Sequence, residues 1–319
     1  MSKNFAITGV GGYIAPRHLK AIKDTGNKLI AAVDPNDSVG ILDRFFNDVK
    51  FFIEFERFDR HCDKLRRAGE DQRIHYLSIC SPNYLHDAHV RFALRIGADA
   101  ICEKPLVLNP WNIDALAELE RESGQKVNTI LQLRVHPALK ALKAKYSSEK
   151  SAKKHEVDLT YITSRGIWYL VSWKGQRDRS GGLATNIGIH FFDLLIWLFG
   201  PVQHSEVHYS SSTKTGGFIE LQNARVRWFL SIDRQDLPLE IVAKDQPTFR
   251  SIIIDGAELE FSEGFTDLHT EVYRETVEGR GFGLDDARPS VTLAHDIREA
   301  ASIGLNNNAH PTLVKVIKD

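Results

Sequence analysis

A lysine and a histidine, far apart in the chain, form a pair that could move a proton and hold a developing charge. Lys104 follows the apolar run Ala98-Asp99-Ala100-Ile101-Cys102 within Glu103-Lys104-Pro105, and His190 lies in the strongly apolar stretch Asn186–Phe199. An imidazole titrates near neutrality, so it can take the proton of a secondary alcohol as the carbon–hydrogen bond breaks. A lysine ammonium can donate a hydrogen bond to the emerging alkoxide and lower its energy. A histidine alone on an apolar helix is more often a satisfied core group. The presence of Lys104 at a strand end gives His190 its weight. Asp193, one turn further on, could orient the imidazole or pair locally.

A hydride leaving that carbon needs an acceptor, and the N-terminus carries the pattern for one. Directly after Asn4–Thr8 come Gly9-Val10-Gly11-Gly12-Tyr13-Ile14-Ala15, with a helix expected to open at Pro16. In such a turn Gly9 permits the tight bend and Gly11 lets the backbone approach a pyrophosphate. The helix N-terminus then offers unpaired N–H groups and a positive dipole end. Ile14 stands where the fingerprint has its third glycine. Pro16 suits a first helical turn, where its missing N–H costs little. Taken alone, these residues could be an ordinary strand-to-helix turn. Asp34, closing Ala31-Ala32-Val33 about twenty residues on, is the acid that the dinucleotide fingerprint expects. A carboxylate there accepts hydrogen bonds from the adenosine ribose and repels a 2′-phosphate, so the expected cofactor is NAD.

The run Ile79-Cys80-Ser81-Pro82-Asn83 places a small polar cluster at another strand end, where ligands of open parallel sheets sit. His86 and His89 flank Asp87, but no further ligand completes a metal set, so a role at a helix start is expected and no metal.

The elements that must position these residues divide into two kinds. In the first half, strands expected at Asn4–Thr8, Lys28–Val33, Ile74–Ile79, Ala100–Cys102 and Val127–Leu131 alternate with helices at Pro16–Thr25, His86–Ile96 and Trp111–Ser123. Strands apolar on both faces between helices imply a doubly wound parallel sheet of Rossmann type. After Arg134, a helix at Pro137–Tyr146 leads to longer alternating segments at Glu156–Ser164, His204–Ser212, Ala224–Ile232 and Arg250–Ile254. Period-two alternation of that length implies a large open, mostly antiparallel sheet in an α+β domain, with the helix Asn186–Phe199 and a final helix near Ser290–Leu305. The expected division is therefore 1–134 for NAD and 135–319 for substrate binding and oligomerisation. The lysine-rich run Lys140–Lys154 reads as a solvated helix face and loop.

Composition narrows the partners. With 41 basic and 42 acidic side chains the net charge is −1, so no global field attracts nucleic acid or anionic lipid, and an anionic ligand must meet local donors. No apolar run is read as approaching the roughly 18–20 residues of a membrane span, and the first residues lack a secretory pattern. Cys62, Cys80 and Cys102 form no C-x-x-C pair and read as buried thiols. A cytoplasmic location is expected.

Taken together, the glycine turn, Asp34, Ser81-Pro82-Asn83-x-x-His86, Glu103-Lys104-Pro105 and Gly181-Gly182-Leu183-Ala184-Thr185-Asn186-Ile187-Gly188-Ile189-His190-Phe191-Phe192-Asp193 resemble the glucose–fructose oxidoreductase/inositol dehydrogenase (Gfo/Idh/MocA) family. The resemblance covers essentially the whole chain. It implies that the 181–193 segment begins the helix facing the nicotinamide. It also implies that Gly12, Tyr13, Ser81, Asn83, His86, Lys104 and Gln132 join the cofactor contacts, with Glu103 on the nicotinamide ribose. Many members carry an aspartate four residues before the histidine. Here that position is Asn186, which can orient a substrate but offers no charge.

The segments 11–22, 228–238 and Gln132-Leu133-Arg134-Val135-His136-Pro137 further resemble bacterial UDP-N-acetyl-glucosaminuronate 3-dehydrogenases. That implies oxidation of the sugar C3 hydroxyl to a 3-keto intermediate in O-antigen synthesis, 2-oxoglutarate as the oxidant that recycles NADH in some relatives, and a homo-oligomer, tetramer or dimer. Arg134 and Arg165 are candidate holders of the pyrophosphate or carboxylate, and Trp168 or Tyr169 could stack on a base or sugar. Two other readings stand beside this one: a dehydrogenase of a free sugar, inositol or diol, and a non-catalytic NAD-responsive binding protein.

Overall fold

The computed structural model describes residues 2–37, 39–148, 153–259 and 267–318. The chain forms two compact units. The first comprises Met1–His136 with the described part of Gly264–Arg288; the second comprises Pro137–Glu263 and Pro289–Asp319. The sequence predicts a single division after residue 134. The structure differs in that the chain returns to the first unit with the helix Leu268–Val277. Leu268, Val272 and Tyr273 join Phe5, Leu19, Ile22 and Ile101 in one core, and Tyr273 stacks on Phe5 at 5.9 Å.

The first unit is built on six short parallel strands: β1 (Asn4–Thr8), β2 (Lys28–Val33), β3 (Lys50–Phe52), β4 (Tyr76–Ile79), β5 (Asp99–Cys102) and β6 (Val127–Thr129), in the order β3-β2-β1-β4-β5-β6. All four residues of β4 are buried, as parallel strands covered on both faces must be. The parallel Rossmann-type sheet expected from the sequence is present. Besides the returning helix Leu268–Val277, two elements of this unit are not among those the sequence predicts. β3 is only three residues long, and the helix Phe55–Ala68 is highly charged and buries only Phe58 and Cys62, although Phe55, Phe58, Cys62 and Leu65 recur at helical spacing.

The second unit carries β7 (His155–Thr163), β8 (Val202–Ser210), β9 (Lys214–Leu221), β10 (Ala224–Ser231), β11 (Thr248–Ile254) and β12 (Ala257–Glu258), ordered β12-β11-β7-β10-β9-β8. Only the β7–β10 pair is parallel; the others are antiparallel, which matches the expected mostly antiparallel sheet. Alternation sends neighbours to opposite faces. Trp228 and Tyr161 meet the helix Ile189–Phe199 through Phe192 and Phe191, while Phe229 and Ile162 pack with Leu313 of the helix Pro311–Lys318. β9 was not foreseen because Gly216-Gly217 interrupts its pattern. A Cβ at Gly217 would lie 2.0 Å from the Glu206 carbonyl oxygen, so the strand needs glycine where its neighbour comes close.

The expected helix Ser290–Leu305 is instead Leu284–Glu299, and Pro311–Lys318 follows it. Part of Lys140–Lys154 lies outside the described residues; Lys154 itself bonds Glu220 at 2.8 Å. The helical stretch Arg177–Phe199 corrects a further expectation, because it is long and apolar enough by length and composition to cross a membrane. Its most apolar window is 78% buried within the protein, where those side chains cover the sheet.

Candidate active site

The turn after β1 is shaped by close backbone approach. Gly9 has φ +76°, and a Cβ there would lie 2.6 Å from the backbone of Cys80 and Ser81. Only glycine fits that position. The Gly12 amide donates to the Gly9 carbonyl at 3.0 Å, closing the turn. The Gly11 amide donates to Asp34 Oδ2 at 2.9 Å, and Asp34 Oδ1 accepts from the Asn36 amide at 2.9 Å. Each carboxylate oxygen retains a second lone-pair direction for a ribose hydroxyl. The helix Ala15–Asp24 opens there with no side-chain cap and no acid in its first turn; its Ala15 and Arg17 amides donate to the Gly12 and Ile14 carbonyls at 3.2 and 3.0 Å, so what it offers an anion is the positive end of its dipole. Ile14 packs partly against the core, while the Tyr13 ring is 91% exposed. This cradle fits a dinucleotide.

At the end of β4, Ser81, Asn83 and His86 are buried. His86 sits between two carbonyls, with Nδ1 2.6 Å from that of Pro105 and Nε2 2.8 Å from that of Ser81, so its ring packs between the ends of β4 and β5 and can donate to one of them. Burial lowers its pKa. His89 bonds Ser81 Oγ at 2.8 Å, and burial, with His86 nearby, pulls it down to about 4. Both histidines thus serve the frame of the strand ends. Gln132 Oε1 is buried and has no hydrogen-bond partner among the described residues, which suits a ligand donor such as a carboxamide.

At the end of β5, the Lys104–Pro105 peptide is cis and Lys104 is partly exposed. Glu103 is placed unexpectedly. It is buried, its Oε1 accepts from His18 Nε2 and His269 Nε2, both at 2.9 Å, and its Oε2 accepts from the Lys104 amide at 3.2 Å. Burial alone would raise its pKa. The two imidazole hydrogen bonds outweigh that and hold the carboxyl well below the usual range. Sequence reasoning did not find His18, His269 or the Tyr273 hydroxyl that bonds His18 Nδ1 at 2.6 Å. They come from segments that share no motif.

Arg134 already has partners within the first unit. It is buried, and its guanidinium donates to Asp286 Oδ1 at 2.8 Å and to the Asp286 carbonyl at 3.0 Å, over the Phe282 ring. A guanidinium withdrawn from water needs such partners, and here the protein supplies them.

His190 belongs to the second unit. Gly181 and Gly182, both at positive φ, turn the chain into the wide helical turn Ala184–Gly188 that leads to Ile189–Phe199. A Cβ at Gly188 would lie 2.6 Å from Leu230 Cδ1, so the helix seats closely on β10. His190 sets its ring edge-on to Phe191 at 5.4 Å, and Asp193 is buried one turn on. Asn186 Nδ2 donates to the Tyr169 hydroxyl at 2.5 Å, so Tyr169 is a buried strut and not a stacking platform. Trp168 is half exposed, and the Lys174 ammonium sits over both Trp168 (5.2 Å) and Trp173 (4.7 Å). Arg165 lines an open pocket of about 800 Å³ with Ile167, Leu170, Thr213 and Arg234.

Comparison with known proteins extends this geometry. The model of an oxidoreductase family with an NAD-binding Rossmann fold matches residues 3–130, and its C-terminal alpha/beta domain matches 152–234. The chain is similar to the WlbA (WbpB) dehydrogenase from Thermus thermophilus, crystallised with NAD and alpha-ketoglutarate. The identity is 53% and the TM-score 0.93, over 97% of this chain and 99% of that one. A crystal structure of the same dehydrogenase with NAD and UDP-GlcNAcA matches at 52% identity and a TM-score of 0.92, over the same shares. A protein of Amycolatopsis mediterranei (strain S699), described as the oxidoreductase subunit of a UDP-kanosamine synthase, is 30% identical over 139 residues. That is 40% of this chain and 36% of that relative, so the match spans well under two thirds of its length. Two matched domains and a near-complete likeness to a solved dehydrogenase place the chain in the Gfo/Idh/MocA oxidoreductase family, with an NAD-binding Rossmann fold at its N-terminus.

Proposed function

We propose that this chain oxidises the C3 hydroxyl of UDP-N-acetyl-glucosaminuronic acid with NAD, giving the 3-keto sugar that a later amino transfer in surface-polysaccharide synthesis consumes. The observation that carries this reading is the 52% identity, over nearly the full length of both chains, to a dehydrogenase crystallised with NAD and UDP-GlcNAcA. Bound NAD supplies the hydride acceptor. Lys104 donates a hydrogen bond to the substrate oxygen as charge develops on it, and His190 takes the hydroxyl proton. Asn186 orients the sugar without offering a charge. Asp34 and the turn at Gly9–Gly12 hold the adenosine ribose and pyrophosphate.

Arg165 is the cation we assign to the anionic part of the substrate, since Arg134 is engaged by Asp286. 2-Oxoglutarate recycles the NADH, as the alpha-ketoglutarate complex of the Thermus protein suggests. The enzyme works in the cytoplasm as a homo-oligomer. The test follows NADH with UDP-GlcNAcA, free sugars and inositol in parallel, with product mass showing the loss of two hydrogens. Turnover confined to free polyols would sink the nucleotide-sugar assignment, and NAD binding without turnover of any of them would favour a binding protein.

A further inference from the structure

The cluster beneath the Glu103–Lys104 strand end has no part in the chemistry assigned above. Glu103 is a deeply buried carboxylate, and a buried charge is a poor device for stability alone, because apolar residues of similar volume often serve a fold as well. Yet three donors converge on it: the imidazoles of His18 and His269 on Oε1, and the Lys104 amide on Oε2. The chain of bonds continues outward. With its Nε2–H given to Glu103, His18 presents the Nδ1 lone pair to the Tyr273 O–H at 2.6 Å, and the Tyr273 oxygen accepts from Ser78 Oγ at 2.6 Å. That assignment satisfies each atom along the path with neutral rings and one anion.

The members come from separate places in the first unit. His18 rides on the helix that opens at the glycine turn, Glu103 follows β5, and His269 and Tyr273 lie on the returning helix Leu268–Val277. One carboxylate therefore links the helix Ala15–Asp24 to the backbone of Lys104.

We propose that His18, His269 and Tyr273 are positioning residues, which fix Glu103 so that its Oε2 holds the Lys104 amide and sets where the Lys104 ammonium reaches. The proposal rests on the reading that Lys104 serves the reaction. Two imidazole nitrogens and a carboxylate oxygen could also form a metal site, and these atoms lie within 4.8 Å of one another. The direct 2.9 Å contacts between them are instead those of ordinary hydrogen bonds.

The full-length protein is assayed as wild type, Lys104→Ala, His269→Leu, His269→Gln and Tyr273→Phe. The readouts are kcat and KM on UDP-GlcNAcA, NAD affinity by fluorescence titration, thermal melting and bound metal. His269→Leu deletes one donor and is expected to lower kcat by on the order of 10²-fold with NAD affinity kept, the scale of a small misplacement of a catalytic group. His269→Gln retains an N–H that can reach the carboxylate and recovers most of that loss. Tyr273→Phe leaves His18 without its partner and lowers kcat by a smaller factor, so it decides the matter if His269→Leu does not fold. Unchanged kcat in the variants that fold, equal losses in Leu and Gln, or a metal equivalent that His269→Leu loses would each overturn the proposal. Full turnover in Lys104→Ala would instead remove the reading of Lys104 on which it stands.

Discussion

The Gly11 amide donates to Asp34 Oδ2 at 2.9 Å, and a Cβ on Gly11 would approach that same oxygen to 3.2 Å. The turn and the end of β2 therefore constrain one another. The glycine keeps the carboxylate close, and the carboxylate holds the turn in the shape that a pyrophosphate needs. Removing the charge should loosen both. Asp34→Ala is expected to weaken NAD binding by about 1.5–3 kcal/mol, the range for a hydrogen bond to a charged group. It should weaken NADP less, because repulsion of the 2′-phosphate is lost at the same time. Titration of both cofactors by protein fluorescence checks this. An unchanged NAD to NADP ratio would count against Asp34 as the ribose acid.

Lys104 and His190 are expected to separate chemistry from binding. Lys104→Ala removes a donor to the developing alkoxide, at a cost of about 10²–10³-fold in kcat. His190→Asn removes the proton acceptor, at about 10²–10⁴-fold. NAD affinity should persist in His190→Asn, because the glycine turn and Asp34 are untouched. Single-turnover formation of NADH, beside equilibrium titration of NAD, distinguishes these losses from a binding defect. Normal turnover in both variants would end the catalytic assignment.

How far the sequence could be read depends on how local each feature is. The glycine turn, the acid after β2 and the Glu103-Lys104-Pro105 end of β5 are each contained in a few consecutive residues, so spacing alone exposes them. The alternating strands β7 and β10 are likewise visible, because one face of each is buried along its length. β9 is concealed by two glycines whose reason lies on other elements, whereas the helix Phe55–Ala68 does carry a stripe, Phe55, Phe58, Cys62 and Leu65, set in a run of charges. The bond between His18 and Glu103 joins residues 85 apart, and that between His269 and Glu103 joins residues 166 apart. Neither histidine carries a local signal, and only the returning helix brings His269 into the first unit. Arg134 shows the converse difficulty. An arginine beside a motif looks available to a ligand until the partner 152 residues away is seen.

That partner makes a prediction opposite to the one for a ligand-binding arginine. Arg134→Met should destabilise the first unit by about 1.5–3 kcal/mol through loss of the charged hydrogen bonds to Asp286. KM for UDP-GlcNAcA should stay as it was. Thermal melting should register a drop of about 2–4 °C per kcal/mol for a unit of this size. A rise in KM with melting unchanged would return Arg134 to the substrate.

Acid should weaken the second unit through Glu206. Its carboxylate accepts from His204 at 3.0 Å, from Asn306 at 3.0 Å and from His208 at 3.2 Å. These bonds, with His204 the largest influence, pull its pKa from 4.5 down to about 2. A carboxyl whose folded pKa is depressed binds fewer protons folded than unfolded between those two values. Its contribution to stability is therefore fully present above pH 4.5 and is lost as pH falls toward 2. Glu206→Gln removes this term, and its melting temperature should decline less steeply than wild type across that acid window. Parallel acid slopes for the two proteins would show that the Glu206 bonds contribute nothing measurable to folding.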